Sequence, residues 1–194
     1  MAKQIVILQG HPDPSGKRFG HALADAYTEG ARDGGHAVKS IDVAKLEFPL
    51  LRTQEDFERG APPESIREAQ SQIRWANHLV IFFPLWLGTM PALLKGFFEQ
   101  TFRYGFALGK PEGGKGLTRL LAGKSARIVV TMGMPAFFYR WYFRAHGVNV
   151  LERSILGLAG IRPIKESFIG TVEGSSAGRE KWLVKMRALG RKGK

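Results

Sequence analysis

Leu79-Val80-Ile81-Phe82-Phe83-Pro84-Leu85-Trp86-Leu87-Gly88 decides how this chain is read. The first five residues are an uninterrupted apolar run, the pattern of a short strand covered on both faces. Ile5-Val6-Ile7-Leu8 and Ile128-Val129-Val130 have the same character. Weaker patterns, Val38 to Val43 and Ile164 to Ile169, complete a set of five strands with helical patterns between them. Alternating strands and helices predict an α/β fold built on a five-stranded parallel sheet.

The helical signals lie where such a fold needs them. The first helix begins near Phe19, carries Leu23, Ala24 and Tyr27 on one side, and stops at Gly34-Gly35. A second spans about Glu64 to Trp75. A third is capped by Thr89, has Pro91 in its first turn, and presents Leu93, Leu94, Phe97, Phe98 and Phe102 as a broad apolar face. The Gly-rich stretch Gly105 to Gly123 is long enough to be functional. Helices from Val148 to Leu158 and from Ala177 to Leu189 finish a chain that reads as one domain over residues 1–194.

The 194 residues, 44% of them hydrophobic, suffice for one sizeable core. With no cysteine, disulfides, thiolate metal sites and thiol nucleophiles are excluded, and the composition fits a reducing compartment. No apolar run approaches the ~18 residues of a membrane span, so a cytoplasmic protein is expected. Twenty-nine basic against seventeen acidic residues give a net charge of +12, which favours anionic ligands. The basic clusters do not interleave aromatics along a strand platform, so no nucleic-acid partner is expected.

In an open parallel sheet, ligands bind beyond the carboxyl ends of the strands, where the strand order reverses. That rule selects three loops: Gly10 to Phe19, Pro84 to Gly88, and Thr131 to Pro135. The first contains His11, Lys17 and Arg18 and leads into a helix whose free N–H groups favour an anion; taken alone, it reads equally well as an ordinary connection. The second keeps Leu85, Trp86 and Leu87 apolar where a chain leaving a sheet normally turns polar. That ledge suits a flat heterocycle, though Trp86 would equally serve as core. Gly123-Lys124-Ser125 is no phosphate loop, since Thr118 stands where the earlier glycine is required and the segment precedes a strand.

Taken together, the three loops resemble the NAD(P)H:quinone oxidoreductase branch of the flavodoxin-like superfamily, including the modulators of drug activity and the potassium-efflux ancillary reductases. Phe83 to Phe102 looks like that family's flavin-ring loop and following helix. Gly10-His11-Pro12 with Phe19 looks like its phosphate loop, and Thr131-Met132-Gly133 takes the place of its Thr-Gly-Gly loop. The resemblance implies a three-layer sandwich with sheet order 2-1-3-4-5, a homodimer, and a noncovalent flavin, FMN with FAD as the alternative. It implies a phosphate site at His11, Lys17, Arg18 and Phe19, a ring on Pro84, Leu85, Trp86 and Leu87, and a polar edge at Thr131 and Gly133. NAD(P)H and then a quinone-type acceptor would use one pocket in ping-pong order.

Tyr139 and His146 are the residues the resemblance offers for proton and charge transfer, although their spacing differs from the family's. Trp141, Tyr142 and Phe143 fit aromatic packing at a subunit interface equally well. Met132 and Met134, also carried over as cofactor-binding, replace small family residues, which is expected to narrow the pocket or change how the ring edge is held. A flavin-bearing regulatory subunit of a membrane transporter and a flavodoxin-type carrier are the competing functions. A carrier is disfavoured by the basic charge and by His11-Pro12 in place of a hydroxyl-rich loop.

Overall fold

The computed structural model describes residues 1–110 and 116–194, so residues 111–115 of the Gly-rich stretch lie outside the described residues. Five parallel strands form the main sheet: β1 (Gln4–Gln9), β2 (Ala37–Asp42), β3 (His78–Pro84), β6 (Ser125–Thr131) and β7 (Ile164–Ile169). Their spatial order, β2-β1-β3-β6-β7, is 2-1-3-4-5 when only these five are counted. The remaining two, β4 (Leu108–Gly109) and β5 (Thr118–Arg119), make a small antiparallel pair within the Gly-rich stretch.

Helices α1 (Phe19–Asp33) and α7 (Ser176–Arg191) cover one face. Toward the other lie α2 (Gln54–Glu58), α3 (Glu64–Trp75), α4 (Ala92–Thr101), α5 (Ala136–Trp141) and α6 (His146–Asn149), the last continuing as a π-helical turn over Val150–Leu156. Side chains of a strand alternate between faces, and the central strands show it directly. Val80 and Phe82 enter the core beneath α1 and α7, while Leu79, Ile81 and Phe83 enter the core of the opposite layer. Each fully buried side chain of this size contributes about 1.5–3 kcal/mol.

Helices α1 and α7 meet backbone to backbone. A Cβ on Gly30 would lie 2.0 Å from the Arg187 carbonyl oxygen, and one on Gly190 would lie 2.1 Å from that of Tyr27. Only glycine permits this approach, which locks the two helices into one layer.

Three local expectations are corrected. The helix after β3 is entered at Pro91; Thr89 does not cap it, because its backbone pairs with Trp86 instead. Trp86 is 51% exposed and is not core. The continuous helix expected from Val148 begins two residues earlier and widens into the π-helical turn. Lys124, set aside above as a phosphate ligand, donates from Nζ to the carbonyls of Arg74 and Ala76.

His78, at the amino end of β3, is buried with its Nδ1 2.8 Å from Ser125 Oγ. Burial, then the charges of Lys3 and Arg127, lower its pKa from 6.5 to about 4. Between those values the unfolded chain holds the proton and the native chain does not, so stability falls as pH falls through that window. Urea titrations at pH 7.5 and pH 5 are expected to show a loss about 2 kcal/mol larger for the native sequence than for His78→Gln. Equal losses in both proteins would refute this assignment.

Candidate functional site

At the carboxyl ends of β1, β3 and β6 the three loops enclose a cleft of about 470 Å³, within the range of ~300–1,000 Å³ usual for small-molecule sites. The first loop contributes His11, Lys17, Arg18 and Phe19; the second Pro84, Leu85 and Trp86; the third Thr131, Met132 and Gly133. Val172 and Glu173, which follow β7, complete the wall. Sequence reasoning missed these two, although the strand-end rule that chose the other loops applies equally to the Gly170 to Gly174 segment.

The first loop is held by a ladder of its own side chains. His11 N donates to Gln9 Oε1 at 3.1 Å, Asp13 N to His11 Nδ1 at 3.0 Å, Ser15 N to Asp13 Oδ1 at 2.9 Å, and Lys17 N to Ser15 Oγ at 3.4 Å. The residues skipped by the ladder include Pro12 and Pro14, which have no N–H to satisfy. Asp13 also accepts from Arg18 Nε at 2.6 Å. The Ser15 amide and hydroxyl, then Arg18, hold the Asp13 carboxyl far below the usual carboxylate range.

Two consequences follow for charge. Arg18 shares its charge with Asp13, whereas Lys17 forms no ion pair among the described residues. Burial, then His21, lowers the His11 pKa, and because Nδ1 accepts the Asp13 N–H, the neutral ring carries its proton on Nε2. The first-turn amides of Phe19 and Gly20 have no partner within α1, so Lys17 and this helix end offer donors to an anion.

The apolar ledge is a tight hairpin. Trp86 N donates to Thr89 O at 2.9 Å and Thr89 N to Trp86 O at 3.0 Å. Leu87 (φ 47°) and Gly88 (φ 82°) at its tip both adopt the left-handed conformation, as the tightest hairpin turns require. Leu85 N donates to Thr131 O at 2.7 Å, tying the ledge to the third loop. The Trp86 and His11 rings stand nearly perpendicular, with ring centroids 6.3 Å apart.

The remaining sequence-selected residues are placed differently. Leu87 is fully exposed at the hairpin tip and does not line the cleft. Met132 is buried against the core and still lines the cleft, whereas Met134 is half-buried outside the cleft wall and does not narrow the pocket. Their carbonyls instead accept the Val172 and Thr171 amides, at 3.3 and 3.2 Å, and so fix the fourth loop. Tyr139 is buried, with its hydroxyl donated to Gly88 O at 2.9 Å, and His146 is exposed at the start of α6. Among the described residues no group of three or more His, Asp or Glu side chains is arranged to hold a metal ion, and no helix is long and apolar enough to cross a membrane.

A family model described as flavodoxin-like fold matches residues 3–189, and the chain belongs to that family. It is 33% identical over 157 residues to the human ribosyldihydronicotinamide dehydrogenase [quinone], a match covering 71% of this chain and 66% of that one. An uncharacterized NAD(P)H oxidoreductase of Haemophilus influenzae is 26% identical over 171 residues, covering 86% of this chain and 83% of the relative. Of the ribosyldihydronicotinamide dehydrogenase-like protein of Penicillium crustosum, the chain spans 62%. Among solved structures, the NAD(P)H:quinone oxidoreductase from Methanothermobacter marburgensis superposes with a TM-score of 0.77 at 27% identity, covering 99% of this chain and 97% of that one.

Leu87 bears a side chain in a backbone region that costs a non-glycine residue about 1–2 kcal/mol, and its exposed side chain contributes no burial in return. Leu87→Asn is therefore expected to raise unfolding stability by about 1 kcal/mol, seen as a higher urea midpoint. A lower midpoint would mean that the Leu87 side chain stabilises the fold after all.

Proposed function

We propose that the cleft binds FMN noncovalently and that the protein is an NAD(P)H dehydrogenase passing two electrons to quinone-type acceptors. The observation that carries this reading is the juxtaposition, in one cleft, of an anion-ready loop and helix end with an apolar ledge at the adjoining strand end. A flavin mononucleotide has the matching chemistry: a phosphate on one arm and a flat, partly polar ring on the other. Bound there, it would supply two-electron hydride chemistry that no side chain of a cysteine-free protein offers.

In this reading Lys17 and the first-turn amides of α1 hold the phosphate, with His11 Nε2–H as a neutral donor beside them. Pro84, Leu85 and Trp86 support the ring face. Thr131 and Gly133 run along its polar edge, where fixed donors favour an anionic ring. The ledge keeps reactants stacked and water out, since hydride transfer requires approach to roughly 3–3.5 Å. One cleft serves NAD(P)H and the acceptor in turn, the ping-pong order.

FAD is the second reading, and one feature favours it. A neighbouring cleft of about 300 Å³ shares Phe19 and Val172 with the first and adds Arg179 and Trp182, a cation and an aromatic face. A homodimer is part of the proposal. Phe137, Trp141, Tyr142, Trp86 and Leu87 are large exposed apolar side chains on the two loops and the helix beside the cleft, a surface suited to a second copy. The absence of cysteine fits work in the reducing cytoplasm.

Purified protein is expected to be yellow, to release FMN on denaturation, to bleach anaerobically with NADH or NADPH, and to recover colour when quinone is added. Lys17→Glu is expected to weaken FMN binding about tenfold while leaving riboflavin, which lacks the phosphate, unaffected. Protein that is colourless and takes up neither FMN nor FAD would overturn the function.

A further inference from the structure

We propose that Tyr139 is a positioning residue, a clamp that sets the height of the Trp86 ledge, and not the proton donor the sequence resemblance offers. The inference rests on the flavin reading of the cleft only for its functional consequence; the clamp itself is a property of the chain.

The Tyr139 hydroxyl has a fixed partner. It donates to Gly88 O at 2.9 Å. The ring is fixed as well: it is 1% exposed and lies against Phe143 and Phe168, with centroids 6.2 and 6.0 Å away. A hydroxyl so enclosed has its proton engaged by Gly88 O, and Tyr139 does not line the cleft. It does hold the tip of the hairpin whose outer strand carries Trp86.

Gly147 presses on the same carbonyl from another direction. A Cβ there would lie 2.2 Å from Gly88 O and 2.6 Å from the Thr89 Cα, so α6 and the hairpin are in backbone contact. The tip is thereby seated in a socket made by the Tyr139 hydroxyl and the bare Gly147 backbone. That seating holds the turn in a conformation that Leu87 alone would not favour, with φ of 47° and the side chain fully exposed. Leu85 N and Thr131 O fix the root of the same hairpin at 2.7 Å. With root and tip both held, the ledge has one height.

Tyr139→Phe removes the hydroxyl and little else, and two measurements read its effect. In the cofactor-free protein, hydrogen exchange at the paired Trp86 and Thr89 amides is expected to quicken about tenfold, with β1 amides unchanged. In the flavin-loaded protein, the FMN dissociation constant is expected to rise about tenfold, KM for the nicotinamide to rise more than kcat falls, and the pH profile to keep its shape.

Unchanged exchange at Trp86 and Thr89 would overturn the clamp. So would unchanged FMN affinity combined with a flattened pH profile, which is the signature of a lost proton donor. Should Tyr139→Phe fail to fold, Gly147→Ala, which crowds the same carbonyl with the tyrosine intact, is expected to quicken exchange at the same two amides, and unaltered exchange there would refute the proposal. A native protein that takes up no flavin would remove the proposed function, while the exchange measurement would still decide the clamp.

Discussion

Strand β3 is buried on both faces, and everything in the candidate site hangs from the way its apolar character continues past its last sheet residue. Within the sheet, Val80 and Phe82 face one helical layer while Leu79, Ile81 and Phe83 face the other. Beyond the sheet, Leu85 is half-buried against the core while Trp86 is half exposed. Trp86 is carried outward by a hairpin that is anchored at its root to Thr131 and at its tip to Tyr139. The same apolarity that stabilises the strand thus continues directly past its end onto an exposed aromatic face.

The electrostatics of the cleft are more selective than the overall charge of +12 implies. Arg18, the obvious cation, is partly neutralised by Asp13, and Glu173 brings an acid to the opposite wall. Lys17 and the end of α1 remain as the local source of positive potential. Net charge acts at long range on any anion, whereas at the cleft itself the positive potential comes from one side chain and a few amides.

The sheet, its order and the three loops were legible in the sequence because each rests on a strong signal: doubly covered strands are continuously apolar, and strand ends are where such sheets bind ligands. The doubly wound order came through the likeness of the loops to a known family. Thr89 misled because a hydroxyl before Pro91 looks like a cap, while its backbone was already taken by Trp86. The widening at Val150–Leu156 leaves no trace in apolar spacing, since its buried residues Leu151 and Leu156 also suit an ordinary helix. Tyr139 and His146 were chosen by likeness, and burial and hydroxyl partners, which a sequence does not contain, separate them: one is enclosed and bonded, the other lies exposed. Val172 and Glu173 went unseen because the Gly170 to Gly174 segment, although it too follows a strand end, carries neither a basic residue nor an apolar run to mark it.

The side-chain ladder from Gln9 to Lys17 bears on the kinetics of capture. A loop whose amides were left to water would have to shed that water and settle into shape at the moment of encounter. Here folding has already arrested the backbone, with two prolines removing donors that would otherwise need satisfaction. The loop's shape is fixed by its own side chains, so the entropy of arranging it belongs to folding and not to any later encounter.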